Sequence, residues 1–320
     1  MIKINLIGGS MLQDYANILV LFLIVGIGFI LGKIKWFNQN SNNAMTKLLL
    51  NITLPLTLIL SIIHDFSKKE FLTLLPNIIL PFSSILILML LSFITALIIK
   101  IPRTDRGLFV GLCSMSSTIF FGIPVALAVY GSHLLPYALM TYIAQTILYW
   151  TLGIYLLKND NDTQKFDLFV TIKNIFTPPL IAFIIGVILL LNHIEIPSFL
   201  SSFAHYLSGM TAPIAMLIIG TIIYITGFKN LKITPYIIVI LIFRFIITPA
   251  VVLSLGLLLH MPVMMIKITI LVCSLPIPNT TVILASKYKA DVILATQSLT
   301  FSIIFYLLYI PIILLLIHKI

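Results

Sequence analysis

Pro276 and Pro278 stand two residues apart, followed at once by Asn279, Thr280 and Thr281, in a stretch that is otherwise apolar. A proline inside a helix removes one N–H donor and collides with the carbonyl four residues earlier, so this pair disturbs the carbonyls of Val272 and Ser274. In lipid such groups need new partners, and irregular backbone survives at membrane depth only where protein covers it or water reaches it. The side chains of Asn279, Thr280 and Thr281 can cap the N–H groups of a helix restarting toward Lys287. A second place has the same character: in SSTIFFGIPVALAVYG, Gly122 and Pro124 interrupt an equally apolar run. Pro124 suits the first turn of a restarted helix, where its missing N–H costs nothing. Each restarted half-helix would present a partial charge of about +0.5 at its start, which favours an anion. Prolines that only kink packed helices are the competing explanation; two breaks with polar residues clustered beside them favour a site.

Arg244, in LIFRFIITP, adds a full positive charge with no Asp or Glu in any apolar segment to pair with it. An arginine at mid-membrane costs about 2.5–3.5 kcal/mol on the insertion scale and is functional by default. It either attracts an anion or bonds carbonyls exposed at a helix break. Both readings place it in the protein interior.

The elements that must position these residues are membrane helices. The chain has 320 residues, 60% of them hydrophobic and only 9% charged, which describes a polytopic all-α membrane protein. Ten segments approach the roughly 20 residues needed to cross a bilayer: 15–33, 45–63, 75–99, 107–130, 135–157, 175–192, 203–226, 234–259, 264–287 and 292–317, numbered here as spans 1 to 10. The opening MIKINLIGGS is too polar for the apolar core of a signal peptide, so span 1 is expected to be retained. The net charge of +10 lies in short loops between spans rather than on a solvated arm, which argues against nucleic acid. Loops after the odd-numbered spans hold twelve Lys and Arg residues and the opposite side five, so the odd loops are expected inside the cell and both termini outside.

The one long polar stretch, 158–174, then becomes a cytoplasmic linker between halves 1–157 and 175–320. An offset of 158 residues maps Gly28 onto Gly186, Thr53 onto Thr211, Pro55 onto Pro213, Tyr130 onto Tyr288 and Gly153 onto Pro311. Pro55 and Pro213 are expected to bend equivalent helices. Because each half has an odd number of spans, the second enters the membrane from the opposite side, giving two inverted five-helix repeats. Broken helices at matching places, spans 4 and 9, point to a transport site near the midplane.

Enzyme chemistry has no foothold: there is no HExxH, GxSxG or phosphate loop, and no intramembrane carboxylate pair. Cys113 and Cys273 lack the spacing of a metal site and read as small buried thiols. The six histidines fall at span ends, and Trp36 and Trp150 read as interface anchors. Neither a cofactor nor a metal is expected.

GLCSMSSTIFFGIPVALAVYG, YIAQTILYWTLGIYLL and LPIPNTTVILASKY, in that order, resemble the auxin efflux carrier family, which includes plant PIN carriers and bacterial malate-permease-like proteins. LLLNITLPLTLILSII and SLTFSIIFYLLYIPIILLL also fit its pattern, so the resemblance covers essentially the whole chain. It implies the fold of sodium/proton antiporters and bile-acid symporters, with spans 1, 2, 6 and 7 as a scaffold. Spans 3 to 5 and 8 to 10 would form a transport domain in which spans 4 and 9 cross at their breaks. Carried over by motif, the crossing comprises Ser117, Thr118, Gly122 and Pro124 with Pro276, Pro278, Asn279, Thr280 and Thr281. Gln145 matches a polar position of span 5 facing it. Two departures matter: Ser117 stands where the family usually has Asn before its GxP, and the central linker is short.

The expected function is a secondary carrier for small organic carboxylates such as malate, working by an elevator or rocking motion and driven by membrane potential. Its setting would be the plasma membrane, and the resemblance also suggests a homodimer. A sodium-coupled symporter using backbone carbonyls and Asn279, or a sensor or scaffold that has lost transport, are the alternatives. A channel finds no ring of pore-lining polar residues.

Overall fold

The computed structural model describes residues 4–131, 134–161, 172, 175–227 and 232–320. Those residues contain helices and no strand. Most of the expected linker 158–174 lies outside the described residues, as does His133. Among the described residues seven helical runs are long and apolar enough to cross a membrane: Gln39–Asp65, Lys68–Ile98, Arg103–Tyr130, Leu135–Lys158, Ser198–Ile225, Pro235–Leu258 and Val292–Lys319. Three shorter apolar helices, Leu19–Lys33, Pro178–Leu191 and Val263–Cys273, fall on expected spans 1, 6 and 9. Span 1 continues upstream as the 30-residue helix Ile4–Lys33, and span 9 is the expected broken pair Val263–Cys273 and Thr280–Lys287; the correction is to span 6, expected over 175–192, whose helix Pro178–Leu191 has 14 residues. The described helix in span 9 stops at Cys273 because the two prolines beyond it cannot continue the hydrogen-bond ladder.

Local chemistry sets the helix ends. Asn38 is extended and its Oδ1 accepts from the N–H groups of Asn40 and Ser41 at 2.9 and 3.1 Å, starting the helix Gln39–Leu48. Ser67 and Glu70 form a reciprocal cap before Lys68–Leu74: Ser67 N–H donates to Glu70 Oε2 at 2.9 Å and Glu70 N–H to Ser67 Oγ at 3.3 Å. Several helices stop at a residue with positive φ, among them Lys35 (61°) and His193 (53°), and Gly131 (74°) and Lys289 (58°). Both pairs obey the offset of the sequence repeat.

Among the described residues four π-helical turns interrupt the helices, at Leu49–Thr53, Thr118–Gly122, Tyr149–Gly153 and Phe243–Ile247. Three of them end two residues before a proline, Pro55, Pro124 or Pro249. The physical reason is shared: proline lacks the N–H that an ordinary α turn would use, and a widened turn accommodates the ring and the freed carbonyl. Pro213 instead follows a break at Gly209–Met210, between helices Ser198–Ser208 and Thr211–Thr226.

The chain falls into two compact units that interleave along the sequence. Unit 1 comprises Met1–Phe71, Ile119–Pro136 and Pro178–Phe228; unit 2 comprises Leu72–Thr118, Tyr137–Thr177 and Lys229–Ile320. In unit 1 the helix Ile4–Lys33 packs on Thr211–Thr226, and Pro178–Leu191 packs on Leu54–Asp65. Leu54, Leu58, Ile62, Ala215 and Ile218 are buried there. The approach is close because glycines face backbone: a Cβ on Gly28 would lie 2.9 Å from Leu217 Cα, and one on Gly186 3.4 Å from Ile59 Cα. Applying the repeat offset turns each of these two contacts into the other. Gly220 is tighter still, against the Val25 carbonyl and Phe29 N.

Gly220→Ala is accordingly expected to cost about 1–3 kcal/mol through forced backbone separation and to lower the yield of folded protein. Gly26→Ala, where a Cβ meets nothing within 4 Å, is expected to be neutral or stabilising by up to about 1 kcal/mol. Thermal unfolding of the two purified variants checks the contrast.

In unit 2 the helix Ile79–Ile98 packs on Arg106–Ser114 and Thr248–Leu258, and the latter on Val263–Cys273. Its buried residues include Leu80, Ile85, Leu88, Phe109, Leu112, Ile268 and Ile310.

Candidate functional site

Both breaks have a described backbone, and unit 2 brings their upstream ends together. Arg106–Ser114 ends in the non-helical residues 115–117, and Val263–Cys273 in the irregular residues 274–279. The break in span 4 thus lies upstream of Gly122 and Pro124, which correct the expected position of the interruption. Gly122 closes the π-helical turn, and Pro124 is in the first turn of the restarted helix Ile123–Tyr130, where its lack of an N–H is harmless. The two strands of irregular backbone join directly: Ser117 N–H donates to the Pro276 carbonyl at 2.8 Å.

Arg244 sits on a π-helical turn of span 8 with its side chain fully buried. Its Nη1 donates to the Met115 carbonyl at 2.6 Å, and its Nη2 to the Cys273 carbonyl at 3.1 Å and to the Leu275 carbonyl. These are the carbonyls that the two broken helices leave without N–H partners. Each helix C-terminus carries a partial charge of about −0.5, so two of them offset one guanidinium. The planar fork of arginine reaches carbonyls on two segments of the chain at once. The thiols of Cys113 and Cys273 and the phenol of Tyr309 lie beside it, and both cysteines are buried and free. Arg244 Nε has no partner among the described residues.

Gln145 secures the other irregular strand. Its Oε1 accepts from Ser116 N–H at 2.9 Å and from Ser116 Oγ at 2.7 Å. Its Nε2 donates to the Ser116 carbonyl at 2.5 Å and to Thr118 Oγ1 at 3.4 Å. The amide is thereby committed to unwound backbone, and Gln145 acts here as a positioning residue. Ser302 does the corresponding work for span 9, where its Oγ accepts from Ile277 N–H at 3.1 Å and donates to the Leu299 carbonyl at 2.7 Å.

The cap expected from Asn279 is not made. Asn279 has helical dihedrals (φ −59°, ψ −29°) and no side-chain capping bond, because a side chain reaches the first-turn N–H groups only from an extended cap residue. Short backbone turns serve instead, from Thr281 N–H to the Pro278 carbonyl at 3.0 Å and from Val282 N–H to the Asn279 carbonyl at 3.2 Å. Thr281 Oγ1 lies 3.2 Å from Tyr149 OH, and Thr280 is exposed beside it. The half-buried Asn279 amide makes no hydrogen bond among the described residues.

Unit 2 therefore gathers Ser117, Thr118, Gln145, Arg244, Pro276, Pro278, Asn279, Thr280 and Thr281, whereas Gly122, Pro124, Pro55 and Pro213 belong to unit 1. Ser116, Ser302 and Tyr149 were not anticipated. Their only signal in the sequence is a polar group in an apolar run, which many uninvolved residues share. Among the described residues no group of three His, Cys, Asp or Glu side chains could hold a metal. In chemical terms unit 2 offers a buried cation whose Nε–H is unbonded among the described residues and, on the irregular segment 274–279, an uncommitted amide. Both donate, and neither is a base or a nucleophile.

Comparison with known proteins agrees with a transport role. The chain is 26% identical over 301 residues to an uncharacterized transporter of Methanocaldococcus jannaschii, covering 92% of this chain and 95% of the other. It is 23% identical over 304 residues to an uncharacterized transporter of Methanothermobacter thermautotrophicus, with the same coverage. A family described as membrane transport protein matches residues 15–314. With the match running through both breaks and nearly the whole chain, this protein belongs to that membrane transport family, the one whose auxin efflux carriers its motifs resemble.

Proposed function

We propose that the chain is a secondary carrier for small organic carboxylates, built as two inverted five-span repeats. The observation that carries this reading is the joined pair of breaks in unit 2, with a buried arginine on their carbonyls and an unbonded amide at Asn279. Broken helices with half-helix ends at membrane depth are a device for holding a charged solute without a water-filled channel. The repeat is supported by the contacts that exchange under the sequence offset, Gly28 with Leu217 and Gly186 with Ile59. The division into scaffold and transport parts is supported by unit membership: spans 1, 2, 6 and 7 fall in unit 1, and spans 3, 5, 8, 9 and 10 in unit 2.

Electrogenic uniport is favoured over sodium coupling by the hydrogen bonds of Arg244. The carbonyls of Met115, Cys273 and Leu275 at the breaks accept from the guanidinium, whose positive charge disfavours a sodium ion beside it. Outward movement of one negative charge gains about 2.3 kcal/mol per 100 mV, which suffices for efflux without a coupling ion. Labelled malate and related carboxylates, loaded into proteoliposomes, are expected to leave at a rate set by the imposed potential and indifferent to sodium. Sodium-dependent flux would overturn uniport; silence across a panel of carboxylates, with binding retained, would favour a sensor.

Asn279→Ala is expected to weaken binding of the transported carboxylate about tenfold or more, the worth of one hydrogen bond to a charged group. The melting temperature should stay unchanged, since the amide has no partner in the protein to lose. Calorimetric titration alongside thermal unfolding reads both quantities.

A further inference from the structure

At one polar end of unit 2, two lysines share one aromatic ring. Lys158, near the end of the helix Ile154–Asn161, is only 8% exposed, and its Nζ lies 6.0 Å from the centre of the Tyr288 ring. Lys287, the last residue of the helix Thr280–Lys287, places its Nζ 5.5 Å from the same centre. Tyr288 is buried. A lysine is rarely buried without a partner of opposite charge, and one ring face attracts a cation but does not relieve the repulsion between two.

The acids on the neighbouring elements face neutral donors rather than the lysines. The turn Arg103–Asp105 and the helix Arg106–Ser114 pack on Ile154–Asn161, with a Cβ on Gly107 only 2.6 Å from the Leu156 carbonyl carbon. Asp105 accepts from Asp291 N–H at 2.8 Å and from Thr104 Oγ1 at 2.9 Å. Asp291 caps its own helix, accepting from Leu294 N–H at 2.9 Å. Among the residues whose side chains are described no carboxylate pairs with Lys158 or Lys287, and the charges of Asp105 and Asp291 are matched by those of Arg103 and Arg106 on the same end.

We propose that Lys158, Lys287 and Tyr288 form a second anion site that takes a small oxyanion, a carboxylate or a phosphate. The site is separate from the breaks and does not require the transport reading. If the loops after the odd-numbered spans are cytoplasmic, it raises the local concentration of anions at the inner mouth of unit 2.

The full-length protein, reductively methylated with carbon-13 so that each lysine keeps its charge and carries a reporter, is titrated with succinate or inorganic phosphate in zwitterionic nanodiscs. The Lys158 resonance, assigned by Lys158→Arg, is expected to shift saturably with either anion and not with chloride at equal ionic strength. Lys287→Gln, on an exposed residue, should raise the half-saturating concentration about tenfold, whereas Asn279→Ala should leave it unchanged. A response confined to nanodiscs containing phosphatidylglycerol would support the oxyanion site and identify a lipid headgroup as its source. An equal response to chloride, or a Lys158 signal that moves only when Asp160 and Asp162 are neutralised, would overturn the proposal; the second would make the chain's own acids the counter-charge.

Discussion

Arg244→Met is expected to lower the thermal midpoint of the purified protein by about 10 °C or more and to abolish transport. The side chain removed donates to three carbonyls at the ends of two broken helices, and hydrogen bonds from a charged group contribute about 1.5–3 kcal/mol each. A loss of several kcal/mol corresponds to a shift of that size at roughly 2–4 °C per kcal/mol. Methionine fills much of the volume but leaves the carbonyls of Met115, Cys273 and Leu275 without their charged donor. Arg244→Lys should recover only part of the loss, because a compact ammonium cannot span carbonyls on two separate segments as a planar fork does. Thermal unfolding in detergent, followed by carboxylate titration of whatever remains folded, separates two roles. Unchanged melting with lost binding would reassign Arg244 from holding the breaks to attracting substrate.

Gln145→Leu is expected to reduce flux about a hundredfold while substrate binding at equilibrium falls less. Leucine matches the size of the amide but deprives Ser116 of three hydrogen bonds, those to its N–H, hydroxyl and carbonyl. Each buried polar group left without a partner costs about 1–3 kcal/mol, enough to let the irregular strand 115–117 collapse or shift. Gln145→Glu keeps an acceptor for Ser116 N–H and loses the donor to the Ser116 carbonyl, so it should retain more flux than leucine. Flux and binding measured on both variants test the assignment: an equal fall in binding and flux would show that Gln145 touches the substrate rather than positioning the strand.

Membrane class, the apolar segments and the neighbourhood of each break were legible in the sequence because they depend on local properties. Hydropathy over some twenty residues decides what can sit in lipid, and a proline disturbs a helix whatever surrounds it. Gly28 and Gly186 were legible as sites of close packing, since helices that approach this closely demand small residues there. The exact seat of the span 4 break was not. Gly122 and Pro124 marked the region, yet the chain leaves the helix earlier, at 115–117. The proline is accommodated by a widened turn, while the irregular strand is held open by a glutamine 29 residues further on.

What only the tertiary structure decided was the destination of each orphaned polar group. Sequence left Arg244 divided between an anion and exposed carbonyls; the fold brings it to the carbonyl of Met115, 129 residues away, and to that of Leu275, 31 residues away. Asn279 read as a cap and proved uncommitted, because its backbone is already helical and its side chain cannot turn back to the first-turn N–H groups. The sequence by itself determined which groups would lack partners, a consequence of covalent geometry and hydropathy. Which partner each one found depended on chain segments brought together only by packing, and no local pattern encodes that.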